Sequence, residues 1–178
     1  MSRSTHVIMN RRDIELSLQR TVLQILERNQ GEETIALVGI HTCGVFLAER
    51  LAGILKKNSG VKLEWGTLDI TLYRDDWSLA SQNPLVKTTD IGFDIEGMKV
   101  ILVDDVVYTG RTIRAAMDAL MDYGRPEAIQ LATLIDRGGR QLPIQPDYVG
   151  MTITVRENER IKVELAEQGL ADQVVIED

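Results

Sequence analysis

The sequence predicts an α/β fold, a mostly parallel sheet flanked by helices with antiparallel strands appended. Three observations carry that expectation. Short apolar runs at 35–40, 99–103 and 129–135 have the length and composition of strands buried on both faces. The first two are each followed by apolar residues at helical spacing, the alternation that builds βαβ units. Two late runs, 148–155 and 160–165, form a final strand pair, the second alternating through Ile161, Val163 and Leu165.

The elements follow in order. Residues 1–6, with His6, carry no pattern and are expected to fray. Asn10 is placed to cap a first helix, with Asp13 three residues on. Ile14, Leu18, Val22, Ile25 and Leu26 fall on one face of it, and Asn29-Gln30-Gly31 ends it. After the strand at 35–40, Thr42-Cys43-Gly44 is a turn, and Leu47, Leu51, Ile54 and Leu55 mark the buried face of a second helix. Residues 67–73 alternate, with Leu68, Ile70 and Leu72 opposed to Asp69, Thr71 and Tyr73, which predicts a half-buried strand. Residues 74–90 are polar, with Ser81, Asn83, Pro84 and a lone aromatic, Trp77. A loop of that length in a compact domain is usually a functional lid or a mobile segment. Ile113, Ala116, Met117 and Leu120 mark a third helix, closed by Gly124, and residues 136–140 form a glycine-loosened loop.

Composition narrows the function classes. Apolar residues make up 44% of the 178, enough for a core without staples, and at roughly 150 residues per domain the length implies one domain over residues 1–178. One cysteine, Cys43, permits no internal disulfide and suits a reducing, cytoplasmic setting. The first residues lack the apolar run of a signal peptide. A net charge of −7 has the wrong sign for a non-specific nucleic-acid binder, so an RNA partner must be met by a few placed residues. With only His6 and His41, a histidine-built metal site is not expected. Cys43 stands two residues after His41, but no third group orients them as a nucleophilic pair.

The chemistry concentrates in one loop. Val100-Ile101-Leu102-Val103 rises through the sheet and ends in two carboxylates, Asp104 and Asp105. Val106-Val107-Tyr108 then leads into Thr109-Gly110-Arg111-Thr112, just ahead of the third helix. Unpaired amides at a helix N-terminus, with the positive end of its dipole, seat a phosphate. Gly110 lets the backbone approach the anion, the Thr109 and Thr112 hydroxyls donate to it, and Arg111 either adds charge or points to solvent. Asp104 and Asp105 can accept hydrogen bonds from the vicinal hydroxyls of a ribose. A phosphate seat beside a diol seat is matched to a sugar phosphate. The string is neither a P-loop, lacking Gly-Lys-Ser/Thr, nor a dinucleotide fingerprint, whose glycine spacing differs.

This string resembles the phosphoribosyl diphosphate (PRPP) signature of the type I phosphoribosyltransferases. Leu37-Val38-Gly39-Ile40 with Gly44, the run from Leu68-Asp69 to Asp75-Asp76, Leu134-Ile135-Asp136-Arg137-Gly138 and Leu142-Pro143-Ile144 resemble one branch. That branch comprises bacterial pyrimidine-operon attenuation regulators that are also uracil phosphoribosyltransferases. The resemblance implies the type I fold with a small hood. It implies conversion of uracil and PRPP to UMP and pyrophosphate, with Mg²⁺ carried by PRPP and not bound directly by protein. It also implies a homo-oligomer and UMP-responsive binding of pyrimidine-operon leader RNA. It assigns Asp104, Asp105 and Arg74 to catalysis, Tyr108, Thr109, Gly110, Arg111 and Thr112 to the 5-phosphate, and Thr42, Cys43 and Gly44 to the pyrophosphate loop. The lid would begin at Tyr73-Arg74-Asp75-Asp76. Ile135, Asp136 and Arg137 would flank the base, and Arg20 and Arg140 are candidate RNA contacts.

Two departures bear on function. The pyrophosphate loop of the family usually carries arginine, whose rigid fork of donors suits phosphate, where this chain has Cys43. Leu23, Gly139 and Gln145 stand where basic or histidine residues are expected to face RNA. The alternatives are therefore a nucleotide-sensing RNA regulator with little catalysis, or a transferase for another base, such as a purine.

Overall fold

The computed structural model describes residues 5–76 and 85–178. Trp77, Ser81, Asn83 and Pro84 lie outside the described residues.

The chain runs β1 (Thr5–Met9), α1 (Arg11–Arg28), β2 (Thr34–Ile40), α2 (Cys43–Asn58), β3 (Lys62–Leu68), β4 (Lys99–Val107), α3 (Arg111–Met121), β5 (Ala128–Asp136), β6 (Tyr148–Thr152), β7 (Arg160–Glu164) and β8 (Gln173–Glu177). Five strands form a wholly parallel sheet in the order β3-β2-β4-β5-β6. The strands β1-β8-β7 form a separate antiparallel sheet.

Period-two geometry sorts the core into two layers. In β2, Ile35 and Leu37 pack with Leu18, Val22 and Ile25 of α1 and Leu47, Leu51 and Leu55 of α2. The intervening Ala36, Val38 and Ile40 pack with Ile113, Ala116 and Leu120 of α3. The predicted helix faces are thus the ones that cover the sheet. At the head of α1, the Asn10 side chain accepts from the Asp13 amide at 3.1 Å while Asp13 accepts from the Asn10 amide at 2.9 Å, a reciprocal capping box.

Four sequence expectations need correction. Residues 67–73 are not a strand. β3 ends at Leu68, and a 3-10 turn occupies Thr71–Tyr73. The Asp69 carboxylate accepts from the Thr71 amide at 3.0 Å and the Thr71 hydroxyl at 2.6 Å, a local alternative to ladder pairing. Leu72, expected on the buried face, is 64% exposed.

β4 does not stop before its acidic pair. β5 keeps pairing with it as far as Val107 opposite Asp136, so Asp104 and Asp105 lie within the strand. β6 joins the parallel sheet beside β5, not an antiparallel pair with β7. Finally, the N-terminal residues do not fray from Thr5 onward: β1 pairs with β8, with His6 opposite Ile176.

Candidate functional site

Ligands of open parallel sheets sit beyond the carboxyl ends of the strands. Here the ends of β2, β4 and β5 converge there. Cys43 and Gly44 already belong to α2, and Thr42 is its N-cap; the expected turn is this helix start, with a cis His41–Thr42 peptide ahead of it. A Cβ on Gly44 would lie 2.3 Å from the Val103 carbonyl oxygen, so only glycine lets the helix start rest on β4 beside Asp104.

The cleft has two lobes. One of about 310 Å³ is lined by Thr42, Asp69, Arg74, Lys87, Asp104 and Asp105, among others. A second of about 150 Å³ is lined by Arg74, Asp75, Asp76, Thr109, Arg111 and Thr112. Arg74 and Thr112 border both. The predicted acidic pair, the Thr109-to-Thr112 turn and the loop before α2 therefore meet in one cleft. A larger groove of about 710 Å³ opens elsewhere, between α1 and α2, and none of these residues lines it.

Asp104 is 6% exposed, and its carboxylate accepts from the Asp105 amide at 3.0 Å. Burial, and then the adjacent Asp105 charge, hold its carboxyl well above the usual carboxylate range. Gly110 caps α3 with φ +92°, a left-handed conformation open to glycine, and no side chain caps that helix. Arg111 does not point to free solvent. Its Nη1 meets Asp75 Oδ2 at 2.7 Å, and its Nε donates to Gln141 at 3.0 Å. Arg74 forks onto Asp76 at 2.8 and 2.7 Å.

The third loop braces the second. The Arg137 guanidinium lies 4.0 Å from the centre of the Tyr108 ring, a cation–π stack. Arg140 is committed inside the chain: it donates to the carbonyls of Tyr108 at 2.7 Å and Ile144 at 2.8 Å, and to Asp136 at 2.8 Å. Ile135 is fully buried, so its side chain belongs to the core and only its main chain reaches this edge. Arg20 donates to the Gly150 carbonyl on β6, while Leu23 is 64% exposed on α1.

Cys43 lies between the acidic pair and the small sheet. Its Sγ lies 3.6 Å from Gln168 Oε1 and 3.9 Å from the Val163 carbonyl, beside the small sheet. Burial, then Asp105 and Asp104, push the thiol up to about 12, and the His41 ring is engaged with the Thr88 carbonyl at 2.9 Å. A Cys–His nucleophile is therefore not formed.

Sequence reasoning missed Lys87, Asp69 and Thr71 as members of the cleft. Asp69 draws opposing influences: burial raises its carboxyl, but hydrogen bonds from Thr71 and the Lys87 amide outweigh it and leave it below the usual range. The only signal for Lys87 was a lone cation late in the polar stretch at 74–90. Among the described residues, no group of three or more His, Cys, Asp or Glu is arranged to hold a metal ion, and no helix is long and apolar enough to cross a membrane.

Comparison with known proteins agrees with this geometry. The phosphoribosyl transferase domain family matches residues 8–168. The chain is 55% identical over 169 residues to the bifunctional protein PyrR of Thermoanaerobacter pseudethanolicus, covering 95% of each chain. It is 55% identical over 174 residues to the bifunctional protein PyrR of Bacillus cereus, covering 97% of each. Among solved structures it resembles a hypoxanthine phosphoribosyltransferase from Trypanosoma cruzi (TM-score 0.74, 20% identity, 96% and 94% covered). It also resembles a hypoxanthine-guanine phosphoribosyltransferase from Bacillus anthracis (TM-score 0.68, 21% identity, 98% of each covered). At those identities the structural likeness concerns the fold alone.

Proposed function

The chain belongs to the phosphoribosyl transferase domain family, within its bifunctional PyrR group, and from that premise we propose that it transfers phosphoribose from PRPP to uracil and regulates pyrimidine-operon transcription by UMP-responsive attenuation. The observation that carries the catalytic half is the path from the Asp104–Asp105 pair through Thr109, Arg111 and Thr112 into α3, all bordering one cleft.

Each residue then has a task. Asp104 and Asp105 hold the two ribose hydroxyls. Tyr108, Thr109, Gly110, Arg111 and Thr112 take the 5-phosphate. Thr42, Gly44 and the main chain of Cys43 take the pyrophosphate, since the Cys43 side chain is turned toward Gln168. Residues 135–137 edge the base, with Arg137 seated on Tyr108. As the bond from C1′ to pyrophosphate breaks and the bond to uracil N1 forms, positive charge builds on the sugar. The acidic lining of Asp69, Asp104 and Asp105 favours that charge. Arg74 and the residues after it begin a lid that excludes water.

The same acidic lining fits Mg²⁺ arriving with the diphosphate. When bound, that ion neutralises charge on the departing pyrophosphate. The protein acts as one domain over residues 1–178, in the cytoplasm, as a homo-oligomer.

The test is direct. Incubate the protein with PRPP, Mg²⁺ and each of uracil, hypoxanthine, guanine and xanthine, then titrate pyrimidine-operon leader RNA with and without UMP. UMP formed from uracil alone, with RNA binding tightened by UMP, is the expected result. Nucleotide from a purine only would overturn the uracil assignment, and RNA affinity indifferent to UMP would overturn the regulatory half.

A further inference from the structure

We infer that Lys87 is a pyrophosphate-binding residue of this site, supplying the cation that the loop before α2 lacks. The inference rests on the reading of the cleft as a PRPP site.

The charge inventory of the cleft singles out this residue. The larger lobe is lined by three carboxylates, Asp69, Asp104 and Asp105, and by the cations Arg74 and Lys87. Arg74 is bound on two nitrogens by Asp76. The Lys87 ammonium has no carboxylate partner among the described residues. It rests instead on the Thr42 hydroxyl, a neutral acceptor, at the N-cap of α2. An ammonium resting on a hydroxyl need not leave a carboxylate to meet an incoming anion. That hydroxyl does not cap its own helix, which leaves the first turn of α2 beside the ammonium free of a side-chain cap.

The position is built, not incidental. The Lys87 amide donates to Asp69 at 2.7 Å. The next residue's carbonyl accepts from His41 Nε2 at 2.9 Å and from the Thr67 hydroxyl at 3.1 Å. The Thr89 hydroxyl accepts from the Asp69 amide at 2.9 Å, and Asp90 pairs with Thr67 through two backbone bonds of 2.9 Å. Five contacts thus fix the segment carrying Lys87 to the ends of β2 and β3. Cys43, at the start of α2, holds its thiol among Asp105, Gln168 and the Val163 carbonyl and brings no positive charge to the cleft. The cation that meets the diphosphate therefore comes from residue 87.

The experiment compares wild type with Lys87→Ala, Lys87→Gln and Lys87→Arg in both reaction directions, with Mg²⁺-pyrophosphate binding followed by calorimetry. Loss of a charge-assisted bond should raise KM for PRPP and for pyrophosphate roughly tenfold to a hundredfold in the alanine and glutamine variants. KM for uracil and UMP should stay at wild-type values, and arginine should restore most of the loss. Thermal midpoints of the variants separate lost binding from lost fold. Unchanged pyrophosphate affinity in an active, folded Lys87→Gln protein would overturn the inference and leave the family reading standing. Equal loss toward uracil and pyrophosphate would overturn it too. A wild-type protein that makes no nucleotide from PRPP would sink both together.

Discussion

The guanidinium of Arg111, at the first turn of α3, is held by the carboxylate of Asp75 at 2.7 Å across the smaller lobe of the cleft. The donor expected to serve a 5-phosphate is thus already occupied by an internal anion from the start of the presumed lid. A phosphate entering that lobe must displace Asp75 before Arg111 can serve it.

Asp75→Asn should therefore tighten ribose 5-phosphate binding. Both partners are roughly half exposed, so the pair is worth at most about 1 kcal/mol and the gain is limited to about fivefold. Calorimetry at low and high salt checks it. An affinity that falls in the variant would show that Asp75 supports the seat and does not compete for it.

Asp104 should make the protein less stable as pH rises. Its carboxyl is held above the usual range in the folded state, first by burial and then by Asp105. A group of that kind contributes stability at low pH, below its unfolded value, and the contribution is lost as pH rises through the higher folded value. Asp104→Asn should accordingly raise the thermal midpoint by a few degrees at neutral pH, with the difference closing toward pH ~4, while activity collapses. A variant less stable than wild type at neutral pH would contradict this.

Arg140→Ala should cost stability. The guanidinium is 14% exposed, as is its partner Asp136, and it ties three carbonyls to that carboxylate. Removing one member of such a pair strands the other, at a cost of about 3 kcal/mol. Urea unfolding measures it. An undiminished midpoint in the variant would return Arg140 to the surface role that the sequence suggested.

Cys43 should be chemically quiet. With its thiol pushed up to about 12, the thiolate population near pH 8 is very small. Iodoacetamide should label folded protein orders of magnitude more slowly than urea-unfolded protein. Comparable rates would mean that the thiol is neither buried nor shielded by Asp105.

How much was legible in the sequence depended on how local the cause is. The helices were visible because their apolar faces recur every three to four residues, and Asn10 with Asp13 marked the first start. The Asp104-to-Thr112 path was visible because strand, carboxylates, glycine and helix start are consecutive. The continuation of β4 through Asp104 was not, because it depends on β5 pairing alongside as far as Asp136. The run at 67–73 misled because its alternation fits a strand, whereas the Asp69 side chain takes the Thr71 amide. Ile135 was placed beside the base by its neighbours in sequence, but β5 is buried on both faces and its side chain packs in the core. Lys87 enters the site through contacts to residues 41, 42 and 69, which no window around residue 87 contains.

The small antiparallel sheet has a consequence in time. Among the described residues strand β1 pairs with β8 alone, and Thr5 lies opposite Glu177. On a ribosome, β1 emerges before every element of the parallel sheet, yet its partner β8 follows them all. The parallel sheet, whose contacts close over shorter separations, can assemble first. Gln168, which packs against Cys43 at the start of α2, stands just before β8. The wall behind the pyrophosphate loop is therefore completed only after the parallel sheet.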